Sequence, residues 1–192
     1  FGSYCLTEPT AGSDANSGKT KAVLSDDGSH YKISGQKMWI SNAGFADIFI
    51  VFARIEDDKN ITAFIVPNDP KIGIELGEEE KKLGIHSSST RQVFFSNTEV
   101  PVENLLGERN GGFRIAMNAL NVGRIKLGAG NLDGQRRSIS ISTDYANNRI
   151  QFKQPISNFG AIKEKLALMA TSCYAGESAC YRAANDVQSK ID

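Results

Sequence analysis

A single change of character, near residues 101–107, limits the folds that this chain can adopt. Before it, short runs of β-branched and aromatic residues alternate with turn signals, a pattern typical of antiparallel strands. After it, apolar residues follow helical spacing at Phe113, Ala116, Leu120 and Leu127. The sequence therefore predicts an α+β fold, in which an antiparallel β-barrel or sandwich is followed by long antiparallel helices.

The strands of the first part are bounded by clear turn signals. They are predicted at residues 19–24, 30–34, 46–55, 61–66 and 91–97. Ser25-Asp26-Asp27-Gly28 lies between the first two and is a good hairpin turn. Residues 78–82 form a charge cluster, for which a solvated loop is expected.

Glycines make the middle of the first helix poorly suited to helical structure. They are Gly123, Gly128, Gly130 and Gly134. Each costs up to ~1 kcal/mol relative to Ala in a helix, and residues 138–142 alternate like a strand. Close packing against another helix or against a ligand would explain these glycines.

A second helix is predicted to begin near Phe159, with Asn158 as its N-cap. Its apolar residues at helical spacing are Ile162, Leu166, Met169 and Cys173. These four residues are expected to share the face that packs against the rest of the protein.

The composition excludes several classes of protein. The 192 residues carry 22 basic and 22 acidic side chains, so no basic field favours nucleic acid or an anionic membrane. Three cysteines and two isolated histidines form neither a disulfide framework nor a zinc pattern, which predicts a reducing compartment and no metal site. The chain begins at Phe1 without methionine and ends inside a helical pattern, so we expect an internal piece of a longer protein.

Two polar stretches carry the candidate site residues. The first is Tyr4-Cys5-Leu6-Thr7-Glu8-Pro9-Thr10-Ala11-Gly12-Ser13-Asp14, and the second is Lys37-Met38-Trp39-Ile40-Ser41-Asn42-Ala43-Gly44. Hydroxyls and backbone N–H groups of the first stretch could converge on one ligand. A plain surface turn is the alternative, because loops are rich in Gly, Pro, Ser and Asp.

Together the two stretches resemble the flavin-binding signatures of the acyl-CoA dehydrogenase family, and the agreement continues to about Ala184. The resemblance is closest to the very-long-chain type, because Trp39-Ile40-Ser41-Asn42 is followed by Ala46-Asp47-Ile48-Phe49. It implies that residues 1–107 form the flavin-binding middle β domain. It also implies that residues 108–192 begin the C-terminal helical bundle, with the first helix continuing through its glycines to about Asn147.

The resemblance implies an FAD site and a substrate site. The cofactor-binding residues would be Tyr4, Leu6, Thr7, Gly12, Ser13, Trp39, Ile40, Ser41, Arg149, Gln151, Phe159 and Gly160. Those from Arg149 onward would reach the FAD of a neighbouring subunit, so a homo-oligomer, either a dimer or a tetramer, is expected. The substrate-binding residues would be Ser13, Ser88, Asn121 and Arg124.

Each of these roles has a plainer alternative. Trp39 could be a core aromatic, Ser88 an ordinary loop serine and Arg124 a surface arginine. Phe159 and Gly160 could serve only the packing at the start of a helix.

The family reaction forms the α,β double bond of a long-chain acyl-CoA and passes electrons to an electron-transfer flavoprotein. Some members carry the catalytic glutamate where this chain has Gly123, so the base is expected downstream of Asp192 and no catalytic residue is assigned within the chain. The implied location is the bacterial cytoplasm or the mitochondrial matrix. An acyl-CoA oxidase, a flavin monooxygenase and a non-catalytic flavin- or acyl-CoA-binding protein remain alternatives.

Overall fold

Short β-branched and aromatic runs build a sheet in the first 106 residues. The computed structural model describes residues 1–191, and its strands are β1 Gly2–Cys5, β2 Lys21–Leu24, β3 His30–Ser41, β4 Ile48–Ile55, β5 Thr62–Pro67, β6 Ile74–Glu79, β7 Thr90–Pro101 and β8 Leu105–Leu106. All five predicted strands are present. The prediction was wrong in ending β3 at Ser34, and it missed β1, β6 and β8.

The strands form one eight-stranded sheet in the order β6-β7-β3-β2-β4-β5-β8, with β1 paired to β4. The hairpin predicted between β2 and β3 is confirmed, with Gly28 in the left-handed conformation that its turn requires. Most pairs are antiparallel as predicted, but β1 and β2 both run parallel to β4. Within residues 1–191 the strand order ends at β6 and β8, so the sheet does not close into a barrel.

The interior of the sheet is filled by side chains from β3, β4, β5 and β7. Phe49, Phe52 and Phe64 are at most 1% exposed. Burying a side chain of this size stabilises the fold by roughly 1.5–3 kcal/mol. Edge-to-face contacts order the rings, with Tyr31 and Phe64 centred 5.2 Å apart. This packed interior fixes the strand ends on which the candidate site lies.

Two long helices follow the sheet, which confirms the α+β class. Helix α1 spans Gly112–Asn148, a short hairpin pairs β9 Ile150–Gln151 with β10 Gln154–Pro155, and α2 spans Gly160–Ile191. The chain divides into two compact units, residues 1–118 and residues from 119 onward. No helix within residues 1–191 is both long enough and apolar enough to cross a membrane.

Asn158 is not the N-cap of α2, contrary to the sequence prediction. It lies in a 3₁₀ turn, Ile156–Asn158, and the carbonyl of Phe159 accepts the first helical hydrogen bonds, from the N–H groups of Ile162 at 3.1 Å and Lys163 at 3.0 Å. Phe159 therefore stands at the cap position. The extra turn formed after Pro155 shifts the helix start by one residue.

The predicted apolar face of α2 is confirmed, and α1 continues through its glycines to Asn148, close to the end at Asn147 that the resemblance implied. Ile162, Leu166 and Met169 are half-buried and Cys173 is buried. On α1, by contrast, Leu127 is 69% exposed. Helix packing explains Gly128, because a Cβ there would lie 3.1 Å from the Cys180 Sγ on α2. At Gly123, Gly130 and Gly134 a Cβ would meet no described atom within 4 Å.

Candidate functional site

The second signature stretch contains a β-bulge that turns Trp39 outward. Lys37 pairs with Val93 and Ile40 with Arg91, so two residues of β3 oppose one residue of β7. Trp39 adopts a left-handed backbone with φ 56°, and its side chain is 60% exposed. A bulky residue in this conformation is strained, and such strain gathers at functional sites. The exposure excludes the alternative that Trp39 is a core aromatic.

The first signature stretch lies directly beside this bulge. The N–H of Met38 donates to the carbonyl of Thr7 at 2.9 Å, and the hydroxyl of Ser3 donates to the carbonyl of Ser41 at 2.8 Å. Neither the Thr7 hydroxyl nor the Ser41 hydroxyl bonds to another group in the described part of the chain. The structure therefore brings the backbone of Thr7 to the bulge of β3 that carries Trp39, with Ser41 at the end of the same strand.

A buried ion pair that sequence reasoning missed joins the two stretches. Lys37 is 1% exposed and Glu8 is 5% exposed. The Lys37 Nζ donates to Glu8 Oε1 at 2.7 Å, to the carbonyl of Phe52 at 2.7 Å and to the carbonyl of Leu6 at 3.2 Å. The ammonium group thus has one acceptor for each of its three protons.

The Glu8 carboxylate is equally well satisfied. It accepts from the N–H of Lys19 at 2.5 Å and from the N–H of Thr20 at 3.1 Å, besides Lys37. Burial raises its pKa, but the Lys37 ammonium and these hydrogen bonds outweigh burial, so the pKa of Glu8 lies below its ordinary value. Burial lowers the pKa of Lys37, and the attraction of Glu8 offsets only part of that change. Both groups belong to one coupled pair.

Other predicted residues of the first stretch lie in different surroundings. Burial raises the pKa of Tyr4 to about 12, and its hydroxyl donates to the carbonyl of Ala116 at 3.2 Å. Leu6 is 7% exposed, and its carbonyl is held by Lys37. Gly12 and Ser13 are exposed on the loop before β2.

Ile40 is a core residue, because only 2% of its surface is exposed. It belongs to the same buried cluster as Ile33 and Val93. Its side chain is therefore committed to the interior of the sheet, while its backbone pairs with Arg91 on β7 and its carbonyl accepts from the N–H of Ala43 at 3.4 Å.

Ser88 lies on a loop that is tied to the turn after β3. The N–H of Asn42 donates to the carbonyl of Ser89 at 3.0 Å, and the N–H of Gly44 donates to its hydroxyl at 3.1 Å. The Lys82 Nζ donates to the carbonyl of Ser88 at 2.5 Å. This loop borders a cavity of about 400 Å³, lined by Phe45, Glu79, Glu80, Lys82, His86, Ser87, Ser88 and Ser89.

The charge cluster at residues 78–82 is partly structured, contrary to the predicted solvated loop. Glu79 ends β6, and its carboxylate accepts from the Ser89 hydroxyl at 2.6 Å, the Thr90 N–H at 2.8 Å and the Arg91 Nε at 2.7 Å. These donors lower the pKa of Glu79 to about 2. Glu79 is therefore ionised near neutral pH, and its carboxylate holds the end of the Ser88 loop through these hydrogen bonds.

Four predicted residues gather in the second unit, around the hairpin between α1 and α2. Arg149 and Gln151 are exposed there, and the Gln151 Nε2 donates to the carbonyl of its neighbour Ile150 at 2.7 Å. The ring of Phe159 meets that of Phe152 edge to face, with centroids 6.0 Å apart. Gly160 is exposed at the first position of α2.

The remaining predicted pair lies on α1. The Arg124 Nη1 donates to the Asn121 Oδ1 at 3.0 Å, and both side chains are exposed one turn apart. Gly123 lies between them and has open space where a Cβ would be. Residues 1–191 contain no cluster of histidine, cysteine and acidic side chains able to hold a metal ion.

The chain matches known proteins along both of its parts. The acyl-CoA dehydrogenase middle domain matches residues 3–98, and the acyl-CoA dehydrogenase C-terminal domain matches residues 110–191. A probable acyl-CoA dehydrogenase of Bacillus subtilis (strain 168) is 50% identical over 179 residues, which are 93% of this chain and 30% of that protein. The human very long-chain specific mitochondrial acyl-CoA dehydrogenase is 47% identical over 186 residues, 93% of this chain and 28% of that protein.

Solved structures agree with these matches. The crystal structure of an acyl-CoA dehydrogenase complexed with FAD from Bacillus anthracis is 52% identical with a TM-score of 0.79, covering 94% of this chain and 31% of that one. The chain thus spans about 30% of the length of these relatives. Because the middle-domain match alone covers residues 3–98 of 192, the chain belongs to the acyl-CoA dehydrogenase family.

Proposed function

We propose that this chain forms the flavin-contacting part of an FAD-dependent acyl-CoA dehydrogenase. The observation that carries the proposal is the strained, 60% exposed Trp39 beside the hydrogen-bonded Thr7 segment. A flat cofactor ring needs an apolar wall and donors at its polar edge, and the indole of Trp39 and the hydroxyls of Thr7 and Ser41 fit that requirement. Bound FAD supplies the redox chemistry by accepting a hydride from the β carbon of the substrate.

Each part of the chain has its own role in this proposal. Residues 1–107 form the middle domain that holds the flavin, and residues 108–192 begin the helical domain. Tyr4, Leu6, Gly12, Ser13 and Ile40 complete the cofactor contacts through backbone atoms or through side chains at the edge of the site.

The substrate is an acyl-CoA of long chain length, by analogy with the very long-chain relatives. Ser13 and Ser88 contact its thioester arm, and the cavity of about 400 Å³ beside Ser88 offers room for that arm. Asn121 and Arg124 bind its carbonyl or phosphate oxygens, for which the guanidinium fork is suited.

Arg149, Gln151, Phe159 and Gly160 serve the FAD of a neighbouring subunit in a homo-oligomer. Support comes from the exposure of Arg149 and Gln151 at one hairpin, beside the exposed ring of Phe152, which contacts the half-buried Phe159 edge to face. Charge-assisted bonds from Arg149 to the FAD pyrophosphate would be strong. Replacing Arg149 with Ala should weaken FAD retention with the fold intact, and unchanged FAD affinity and oligomeric state would contradict this role.

The catalytic base lies outside residues 1–192. Two carboxylates near the candidate site, Glu8 and Glu79, are each held by several donors and have lowered pKa values. A general base works best with a pKa near the working pH, so both are unsuited to take the α proton. Gly123, at the helix position where some relatives carry the base, has no side chain.

The electron acceptor is an electron-transfer flavoprotein, and the enzyme works in the bacterial cytoplasm or the mitochondrial matrix. The test is anaerobic addition of a saturated long-chain acyl-CoA to the full-length protein with FAD. Bleaching of the oxidised flavin band at about 1 per second or faster is expected, and absence of bleaching would contradict the proposal. Slow reoxidation by air is also expected, since fast productive reoxidation would indicate an acyl-CoA oxidase or a monooxygenase.

A further inference from the structure

The buried ion pair between Lys37 and Glu8 has no part in the reaction described so far. Removing an ammonium and a carboxylate from water costs several kcal/mol per ion, and apolar residues of similar volume are often at least as stabilising. Stability alone therefore does not explain charges that are 1% and 5% exposed. The bonds that the pair makes indicate what it does.

Lys37 holds the peptide that joins Leu6 to Thr7 in one orientation. Its Nζ binds the Leu6 carbonyl at 3.2 Å, and every peptide bond in the described part of the chain is trans. In a trans peptide the C=O and N–H groups point to opposite sides. The bond to the Leu6 carbonyl therefore directs the N–H of Thr7 away from the buried ammonium, and Thr7 itself is half-buried.

The following peptide bond, which joins Thr7 to Glu8, is also held by β3. The Thr7 carbonyl accepts from the N–H of Met38, the residue after Lys37. Trp39 follows immediately, at the bulge where β3 leaves its regular register. The carbonyls of Leu6 and Thr7 are thus held by two successive residues of β3, Lys37 and Met38. The exposed Trp39 is the next residue of that strand.

Glu8 secures the other end of this arrangement. Its carboxylate binds the N–H groups of Lys19 and Thr20 at the entry to β2, and its backbone closes a tight turn with Ala11 through bonds of 3.0 and 3.1 Å. Lys37 also binds the carbonyl of Phe52 on β4. One ion pair therefore links the loop to three strands of the sheet.

We propose that the Lys37–Glu8 pair is a positioning device that sets the orientation of the Thr7 N–H relative to the Trp39 indole, and through it the affinity and electronic environment of the bound flavin. Neither side chain touches the ring. This inference rests on the proposed flavin site.

The test uses the full-length protein with the double substitution Lys37→Met and Glu8→Gln. The double variant removes both charges while filling similar volume, so no unpaired charge is left buried. It also leaves the Leu6 and Phe52 carbonyls without the ammonium donor, so its unfolding temperature should fall modestly. We expect FAD to bind about tenfold more weakly, as when a residue that orients a ligand-contacting group is lost. The visible circular dichroism of the remaining bound flavin and its midpoint potential should also change.

A matched control is the double substitution Arg109→Met and Asp58→Asn, which removes a partly exposed ion pair of the same unit with an Nε–Oδ2 distance of 2.7 Å. Its FAD affinity, circular dichroism and potential should equal those of the wild type. If the Lys37 and Glu8 double variant also matches the wild type in all three, the inference is wrong.

Two further outcomes are decisive. If the double variant does not fold, Glu8→Asp keeps both charges and shortens the carboxylate by one methylene group, so a smaller loss of FAD affinity with altered circular dichroism is expected, and unchanged spectra would overturn the inference. If the wild-type full-length protein binds no FAD, the proposed function itself fails. If the wild type binds FAD and the double variant has the same FAD affinity, circular dichroism and midpoint potential, only the positioning role is overturned.

Discussion

The two units of this chain hold their candidate residues in opposite ways. In the first unit, Thr7 and Trp39 are placed by bonds between residues about 30 positions apart, including the buried Lys37–Glu8 pair. In the second unit, Asn121, Arg124 and Gln151 are exposed, and their hydrogen-bond partners lie within three positions of them. The comparison teaches that long-range hydrogen bonds in the sheet preorganise its candidate residues. The candidate residues of the helical unit are held only by neighbours in the sequence.

The largest effect is expected when the buried Lys37–Glu8 ion pair of the first unit is broken. Replacing Lys37 with Met leaves Glu8 as an uncompensated buried charge and should lower the free energy of unfolding by about 3–5 kcal/mol. Replacing Arg182 with Met removes the exposed pair with Asp186 on α2, and its cost should be about 0.3–0.5 kcal/mol. Denaturant unfolding of both variants measures the difference, and equal losses would remove the contrast between the units.

The Lys37–Glu8 ion pair should also make the free energy of unfolding depend on pH in the acid range. The pKa of Glu8 is lowered in the folded protein, so its contribution to stability is present above the ordinary value of 4.5 and is lost as the pH falls through the lowered value. Glu8→Gln should therefore flatten the decline of unfolding free energy below pH 4.5. Parallel pH profiles for wild type and variant would show that Glu8 is not held in its charged form by Lys37 and the backbone.

The smallest effect is expected in the second unit, at the turn of the β9–β10 hairpin. Phe152 and Lys153 form the two-residue turn of the β9–β10 hairpin with φ values of 50° and 60°, where glycine or asparagine is preferred. Lys153→Gly should relieve strain and stabilise the protein by about 1 kcal/mol. Lys165→Gly, in the regular part of α2, should instead destabilise it by about 1 kcal/mol, and thermal unfolding should show the two opposite signs.

The sequence carried enough information for the fold class, because period and propensity are local properties. Val, Ile and Phe runs predicted five strands, and the hairpin at Gly28 followed from its turn residues. The end of β3 could not be predicted, since Gly35 and the polar residues after it do not alternate like a half-buried strand. The pairing of β1 and β2 with β4 is non-local, and no short pattern encodes it.

The candidate site residues came from the resemblance and stay predictions, whereas the bonds that hold their segments became visible only in the structure. Resemblance pointed to Thr7, Trp39 and Ser41, which the structure places around one bulge. Lys37 and Glu8 escaped notice because charged residues 29 positions apart look like surface residues until the fold buries them. Because the predicted strand ended at Ser34, the sequence did not place Lys37 inside a strand, and no local pattern pointed to its burial.

The central claim is that the Trp39 indole forms the wall of a flavin site, and one equilibrium measurement tests it most directly. FAD dissociation constants would be compared for the full-length wild type, Trp39→Ala and Trp39→Phe. Since an aromatic stacking contact contributes roughly 0.5–1.5 kcal/mol beyond its buried area, Trp39→Ala should weaken FAD binding by about tenfold or more, and Trp39→Phe should restore most of the affinity. Equal dissociation constants for all three proteins, with the fold intact, would contradict the account.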